Sequence, residues 1–62
     1  MLAEKIRKYI SDNGLKFNAV AERTGISIQT FSAMINGKRK ITAEEYFLIC
    51  KALNVPLDTF AA

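Results

Sequence analysis

Histidine is missing from this sequence of 62 residues, and cysteine occurs only once. An internal disulfide needs two thiols and a Cys/His zinc site needs several such ligands, so the sequence excludes both. The one thiol, Cys50, lies in the apolar run YFLICKAL with no base beside it, and it is predicted to be a small buried hydrophobic residue rather than a nucleophile. A domain of this size buries only about 60% of its unfolded surface, so its stability depends on good helix packing.

Proline is also scarce, and no segment alternates apolar and polar residues for long enough to form a strand. No uninterrupted apolar stretch approaches the length of a membrane span, and the N-terminal MLAEKIRKYI has charges where a signal peptide needs its apolar region. The chain has no repeats, linkers or low-complexity segments. We therefore expect a single all-α domain over residues 1–62, in a cytoplasmic, reducing compartment.

Five helical segments are predicted from apolar spacing, capping residues and left-handed turn residues. The first helix contains Leu2, Ile6, Tyr9 and Ile10 and ends at Asp12-Asn13-Gly14, and the second runs from about Phe17 to Thr24 and is closed by Gly25. The third runs from residue 28 to about residue 36, is capped by Ser27 and ends at Asn36-Gly37. The fourth runs from the Thr42/Glu45 capping box to Leu53, with Asn54 as a left-handed cap, and a final helical turn begins at Pro56 and contains Leu57 and Phe60.

The net charge of +3 is unevenly distributed. Residues 1–13 have three cations against two carboxylates, and residues 41–62 have one cation against three carboxylates. Residues 14–40 have five cations against one glutamate, a balance of +4. This asymmetry suggests a surface that faces a polyanion, although a solvated basic surface is the simpler alternative.

The third predicted helix has no charged side chain. At about 100° per residue, Ile28, Phe31, Met34 and Ile35 fall on one arc, which is expected to face the core. The opposite arc, which we call the outer face, consists of Gln29, Ser32, Ala33 and Asn36. A small, neutral, hydrogen-bonding face suits insertion into a groove, because it buries no unpaired charge. An ordinary polar surface is the alternative interpretation.

Ala21, Gly25, Phe31 and Met34 have the spacing of a helix-turn-helix motif: a small residue where the helices cross, a turn glycine, and two apolar residues that fill the crossing. With the Asn36-Gly37-Lys38 sequence that follows, the chain resembles the Cro and lambda-repressor family of DNA-binding domains. The resemblance covers nearly the whole chain and implies a compact five-helix, lambda-repressor-like domain with the motif at helices 2 and 3.

The resemblance implies a regulator, of the repressor type found in phages and prophages, that binds double-stranded DNA with its third helix in the major groove. Gln29 is then expected to pair with adenine and Ala33 to touch a thymine methyl. At Phe17 the family often has a Gln that binds a phosphate. We expect the Phe17 side chain to lie in the core and the neighbouring Lys16 to make the phosphate contact. The implied base contacts are Ile28, Gln29, Ser32 and Ala33, and the implied phosphate contacts are Lys16, Ser27, Asn36, Lys38, Arg39 and Lys40.

For Ile28, packing against the core is the default alternative to a base contact, and for Lys38, Arg39 and Lys40 the alternative is a solvated loop. The family pairs through its C-terminal region, so we expect a homodimer, at least on DNA, with Leu57 and Phe60 at its interface. No cofactor and no small-molecule substrate are implied.

Three other classes of function are alternatives to DNA binding. An enzyme is disfavoured because the residues that an active site needs are missing: the sequence has no histidine, no activated nucleophile and no Gly-rich phosphate loop. A membrane-surface helix is disfavoured because the positive charge lies in loops rather than along one helix face. The serious alternative is a protein-interaction module on the same fold, such as the antidote of a toxin–antidote pair. A further ligand-sensing domain in a longer protein also stays open.

Overall fold

The computed structural model describes residues 2–61, and within that range it consists of four α-helices with no strand. None of these helices combines the length and the apolar character that crossing a membrane requires. The all-α prediction is therefore confirmed, and the first four predicted segments are present. The helices are α1 (Leu2–Asp12), α2 (Phe17–Thr24), α3 (Ile28–Ile35) and α4 (Ala43–Leu53).

Three of the helices end in the same hydrogen-bonded motif, built on a residue with positive φ. These residues are Gly14, Gly37 and Asn54, with φ of 64°, 74° and 59°. After each, the next backbone N–H donates to the carbonyl five residues earlier, which satisfies a carbonyl that the helix end leaves without a partner. The three bonds are Leu15 to Ile10 at 3.0 Å, Lys38 to Ala33 at 2.8 Å and Val55 to Cys50 at 3.0 Å.

The core lies where α3 crosses α1 and α2, with α4 packed against α2. The Phe17 ring lies 4.9 Å from the Phe31 ring, measured between centroids, so Phe17 packs on the core as predicted. Cys50 is buried and its thiol is free, which confirms its expected role as a small hydrophobic residue. The largest fully buried side chains are Ile6, Phe31, Met34, Ile49 and Cys50.

The predicted fifth helix is wrong. The segment after Pro56 is a turn closed by two short-range bonds, from Thr59 N–H to the Pro56 carbonyl at 3.1 Å and from Ala61 N–H to the Asp58 carbonyl at 3.2 Å. An α-helix would need the Leu57 carbonyl to accept from Ala61 N–H. That carbonyl instead accepts the Tyr46 hydroxyl of α4, so a tertiary contact replaces the helical bond.

Phe60 was expected at a dimer interface, and the structure places its side chain in the core. It is 6% exposed, with its ring centroid 5.6 Å from that of Tyr9 and 6.4 Å from that of Tyr46. The terminal turn therefore closes the domain against α1 and α4 by burying one aromatic ring. Leu57 points outwards and is 52% exposed.

Candidate nucleic-acid interface

The turn between α2 and α3 determines the angle at which α3 is presented. Gly25 ends α2 with φ of 79°, and a Cβ built there would meet nothing within 4 Å. The glycine is needed for its backbone angle, since an L side chain is disfavoured at positive φ even where space is available. Ala21 is 2% exposed in the core beside α3, which agrees with its predicted place at the helix crossing.

Thr24, whose role was not predicted from the sequence, stabilises this turn through hydrogen bonds of its buried side chain. Its side chain is buried, and its hydroxyl donates to the Ala21 carbonyl at 2.6 Å while accepting from Ile26 N–H at 3.1 Å. A buried hydroxyl with both roles satisfied stiffens a turn without leaving an unpaired polar atom. A threonine before a turn glycine was the available signal.

Ser27 caps α3, as predicted. Its hydroxyl oxygen accepts from Thr30 N–H at 3.3 Å and its O–H donates to the Thr30 hydroxyl at 3.0 Å. Because a serine has a single O–H donor, this conformation leaves the Ser27 side chain no proton for a phosphate. Lys16, at the start of α2, is exposed and its side chain makes no capping bond.

The outer face of α3 is accessible at the positions expected to contact bases. Gln29 is exposed and its side chain forms no hydrogen bond within residues 2–61. Ser32 and Ala33 are half-buried beside it, and Ile28 is 38% exposed at the edge of the face. The surface thus combines one long amide with small and apolar neighbours.

Asn36, at the end of the outer face, is held by three contacts. Its Nδ2 donates to the Ser32 carbonyl at 2.9 Å and to the Ser32 hydroxyl oxygen at 3.2 Å. Its Oδ1 accepts from Nη1 of Arg7, on α1, at 3.4 Å. Arg7 was not identified from the sequence, and no local spacing signals it, because the two residues are 29 positions apart.

The basic loop, Lys38, Arg39 and Lys40, is exposed directly after α3. Nη1 of Arg39 donates to both carboxylate oxygens of Glu45 at 3.0 Å. Lys38 and Lys40 form no ion pair with any residue of the described range 2–61. The loop therefore presents two unpaired ammonium groups, and a guanidinium that is anchored to α4 while Nη2 and Nε stay available.

Glu45 also completes the predicted capping box of α4. Its carboxylate accepts from Thr42 N–H at 3.0 Å, and its own N–H donates to the Thr42 hydroxyl oxygen at 3.1 Å. The bond from Thr42 N–H, aided by the Arg39 guanidinium, lowers the pKa of Glu45 below its ordinary value of 4.5. One carboxylate thus links the start of α4 to the basic loop.

This lowered pKa predicts a pH-dependent contribution to stability. A carboxyl whose pKa is lower in the folded state stabilises the fold above its unfolded pKa, and the contribution is lost as pH falls through the folded pKa. Glu45→Gln should therefore lower the melting temperature at neutral pH, and the difference should disappear once the pH is well below 4.5. Thermal melts across this range provide the measurement. Glu44→Gln is the matched control, since it removes the same charge from the same helix turn without touching Arg39 or Thr42; a pH-independent deficit in Glu45→Gln would contradict the assignment.

Two helices crossing at a rigid turn, with a neutral accessible face on the second and cations at its end, define a helix-turn-helix domain. The chain belongs to the helix-turn-helix family of the Cro/C1 type, whose family model matches residues 4–60. This is a family of DNA-binding transcription regulators. Comparison with curated proteins and with solved structures gave no significant match.

Proposed function

We propose that this protein is a transcriptional repressor that binds a specific duplex DNA site by inserting α3 into the major groove. The observation that supports this most directly is the outer face of α3, where Gln29 is exposed and uncommitted while cations occupy only the loop beyond the helix. Neutral donors and acceptors on α3 are proposed to contact base edges, and cations in the loop are proposed to contact phosphates. Sequence recognition and backbone binding would then belong to separate segments of the chain.

Gln29 is the proposed main base contact. Its amide has a donor and an acceptor at one end, which matches the N6 and N7 atoms of adenine in the major groove. The methyl groups of Ala33 and Ile28 are proposed to contact thymine methyl groups at neighbouring base pairs. Ser32 keeps its own O–H as a donor, because its hydroxyl oxygen acts only as an acceptor towards Asn36.

The phosphate contacts are proposed to come mainly from Lys16, Lys38 and Lys40, whose ammonium groups are exposed. Arg39 adds a weaker contact through Nη2 and Nε, since the Glu45 carboxylate offsets its charge. Bound in this way, the domain would exclude other proteins from the same stretch of DNA. Such exclusion is the simplest regulatory effect, and it is the basis for proposing repression.

A homodimer on DNA is proposed to form through the exposed apolar side chains of Leu57 and Phe47, which are 52% and 50% exposed. Large apolar side chains left exposed on a small domain often mark an interface. A two-fold pair of such domains would place two α3 helices about one turn of DNA apart. Phe60 is buried in the core and is not part of this proposed surface.

The test begins with selection of bound duplexes from a random DNA pool, followed by substitution of Gln29. On the selected site Gln29→Ala should cost about 1–3 kcal/mol and relax the preference at one base position. On random duplex DNA it should change little, because no charge is lost. Equilibrium binding to both DNAs measures the two effects.

Lys38→Ala is the companion variant. It should weaken selected and random DNA alike and make the salt dependence shallower by about one phosphate. A reversal of the two patterns would overturn the assignment of base and phosphate contacts. If the wild-type chain enriches no duplex at all, the protein-interaction alternative on the same fold becomes the better proposal.

A further inference from the structure

We propose that Arg7 of α1 binds a DNA phosphate and that Asn36 acts chiefly by positioning the Arg7 guanidinium. The inference rests on the proposed DNA-binding function and adds a residue from outside the helix-turn-helix motif to the interface. It also changes the expected role of Asn36, from a phosphate contact to a positioning residue.

The side-chain donors of Asn36 are already used within the protein. A side-chain amide has two N–H donors, and both are directed at Ser32, to its carbonyl and to its hydroxyl oxygen. The remaining atom, Oδ1, is only an acceptor, as phosphate oxygens are. In this conformation the Asn36 side chain therefore has no proton left to donate to a phosphate.

Arg7 has donors to spare at the same place. A guanidinium has five N–H donors, and one is used on Asn36 Oδ1. The side chain is exposed, and within residues 2–61 it has no ion-pair partner. At 3.4 Å the contact with Asn36 is long for a hydrogen bond, so it orients the guanidinium without satisfying it.

The fold places this guanidinium where the DNA backbone is expected. α1 packs against α3, and Asn36 stands at the C-terminal end of the outer face, directly before the basic loop. A recess of about 250 Å³ lies between the two helices there. Its walls are Ala3, Glu4, Arg7, Ile35, Asn36 and Gly37.

The chemistry of the recess suits a phosphate. A guanidinium matches two phosphate oxygens in a planar fork and cannot lose its charge at accessible pH. Among the described residues of this lining, Glu4 is the one acidic residue, and its negative charge opposes the binding of an anion there. A duplex strand running past the end of α3 would thus meet Arg7 beside Asn36 and Lys38 in the loop that follows.

The experiment compares Arg7→Gln with Lys5→Gln in the full chain, using the selected duplex and a random duplex over a range of salt. Both variants lose one charge from an exposed position of α1, but within residues 2–61 Lys5 has no hydrogen bond or ion pair with α3 or Asn36, and it does not line the recess. Arg7→Gln should weaken both DNAs about tenfold at moderate salt and reduce the salt slope by about one. Lys5→Gln should leave the slope unchanged. Thermal melts should show both variants folded.

Asn36→Ala, made alone and together with Arg7→Gln, separates positioning from direct contact. A positioning role predicts that Asn36→Ala weakens binding in the wild-type background and has no further effect once Arg7 is replaced. Full additivity of the two effects would overturn the positioning role, and equal slopes for Arg7→Gln and Lys5→Gln would overturn the phosphate contact. Failure of the wild-type chain to bind duplex DNA would instead refute the proposed function, so the two failures are distinguishable.

Discussion

The affinity for duplex DNA should fall steeply as salt rises. The four main cations proposed to contact phosphates, Arg7, Lys16, Lys38 and Lys40, form no ion pair within residues 2–61. If each neutralises one phosphate, the logarithm of the binding constant should fall with a slope of about −3.6 per bound chain against the logarithm of salt concentration, at about −0.9 per phosphate. Between about 50 and about 200 mM salt, this amounts to a loss of roughly 150-fold, because counterions released on binding must return to a more concentrated solution.

The same titration tests the proposed pairing of two chains. Two chains binding together should double the slope and give a loss of roughly twenty-thousandfold over the same range, with a symmetric footprint. Replacing Lys38 and Lys40 together with Gln should make the slope per chain shallower by about two. Lys51→Gln is the control, since Lys51 lies on α4 outside the basic loop and should leave the slope unchanged. Affinity that is indifferent to salt would rule out a phosphate-dominated interface.

Phe31→Ala should unfold the domain or bring it close to unfolding. The Phe31 ring is fully buried where α3 meets Phe17 of α2. Truncating a buried Phe costs about 3–5 kcal/mol through lost burial and the cavity left behind. At about 0.05–0.15 kcal/mol per residue, a chain of this length has a total stability of about 3–9 kcal/mol, so the substitution removes much or all of it. Thermal or urea unfolding measures the loss, and DNA binding should disappear with the fold.

Phe47→Ala is the matched control for this prediction. It removes the same ring from the same chain, but Phe47 is 50% exposed on α4. Its loss should cost the monomer no more than about 1 kcal/mol, because little buried surface is removed. Similar unfolding midpoints for the two variants would show that the crossing of α2 and α3 is not the centre of the core.

The local features of the fold could be predicted from the sequence because each depends on neighbouring residues. Gly14, Gly37 and Asn54 end helices through bonds that reach at most five residues back. The Thr42 and Glu45 box needs a spacing of three residues. The division of α3 into a buried and an accessible face follows from helical periodicity alone, which places Phe31 inward and Gln29 outward.

Part of the candidate site was predictable for the same reason. The exposed Gln29 and the exposed basic loop are properties of one helix and the residues after it, and the family match over residues 4–60 agrees with the motif spacing. The turn at Gly25 was predictable in the same way. Thr24 was not predicted to be buried, because a short polar side chain is usually exposed.

The remaining features depend on how distant segments pack. Phe60 is buried because its ring packs against Tyr9 of α1 and Tyr46 of α4. In the same packing, the Leu57 carbonyl accepts a hydrogen bond from the Tyr46 hydroxyl and not from a helical N–H. Residue spacing along one segment contains no information about such partners.

Arg7 and Arg39 show the same limit at the interface. In the sequence Arg39 is one of three adjacent cations, and nothing distinguishes it from Lys38 and Lys40. Only the folded structure shows that the Glu45 carboxylate of α4 pairs with Arg39. Arg7 acquired a place beside Asn36 only because α1 lies across the end of α3. The sequence by itself determined the four helices α1 to α4, where they end and which face of α3 is accessible, because those features depend on bonds within a few residues. The tertiary structure decided which cations are committed and which can meet DNA, because an ion pair or a buried ring depends on the distance between segments that the chain brings together only on folding.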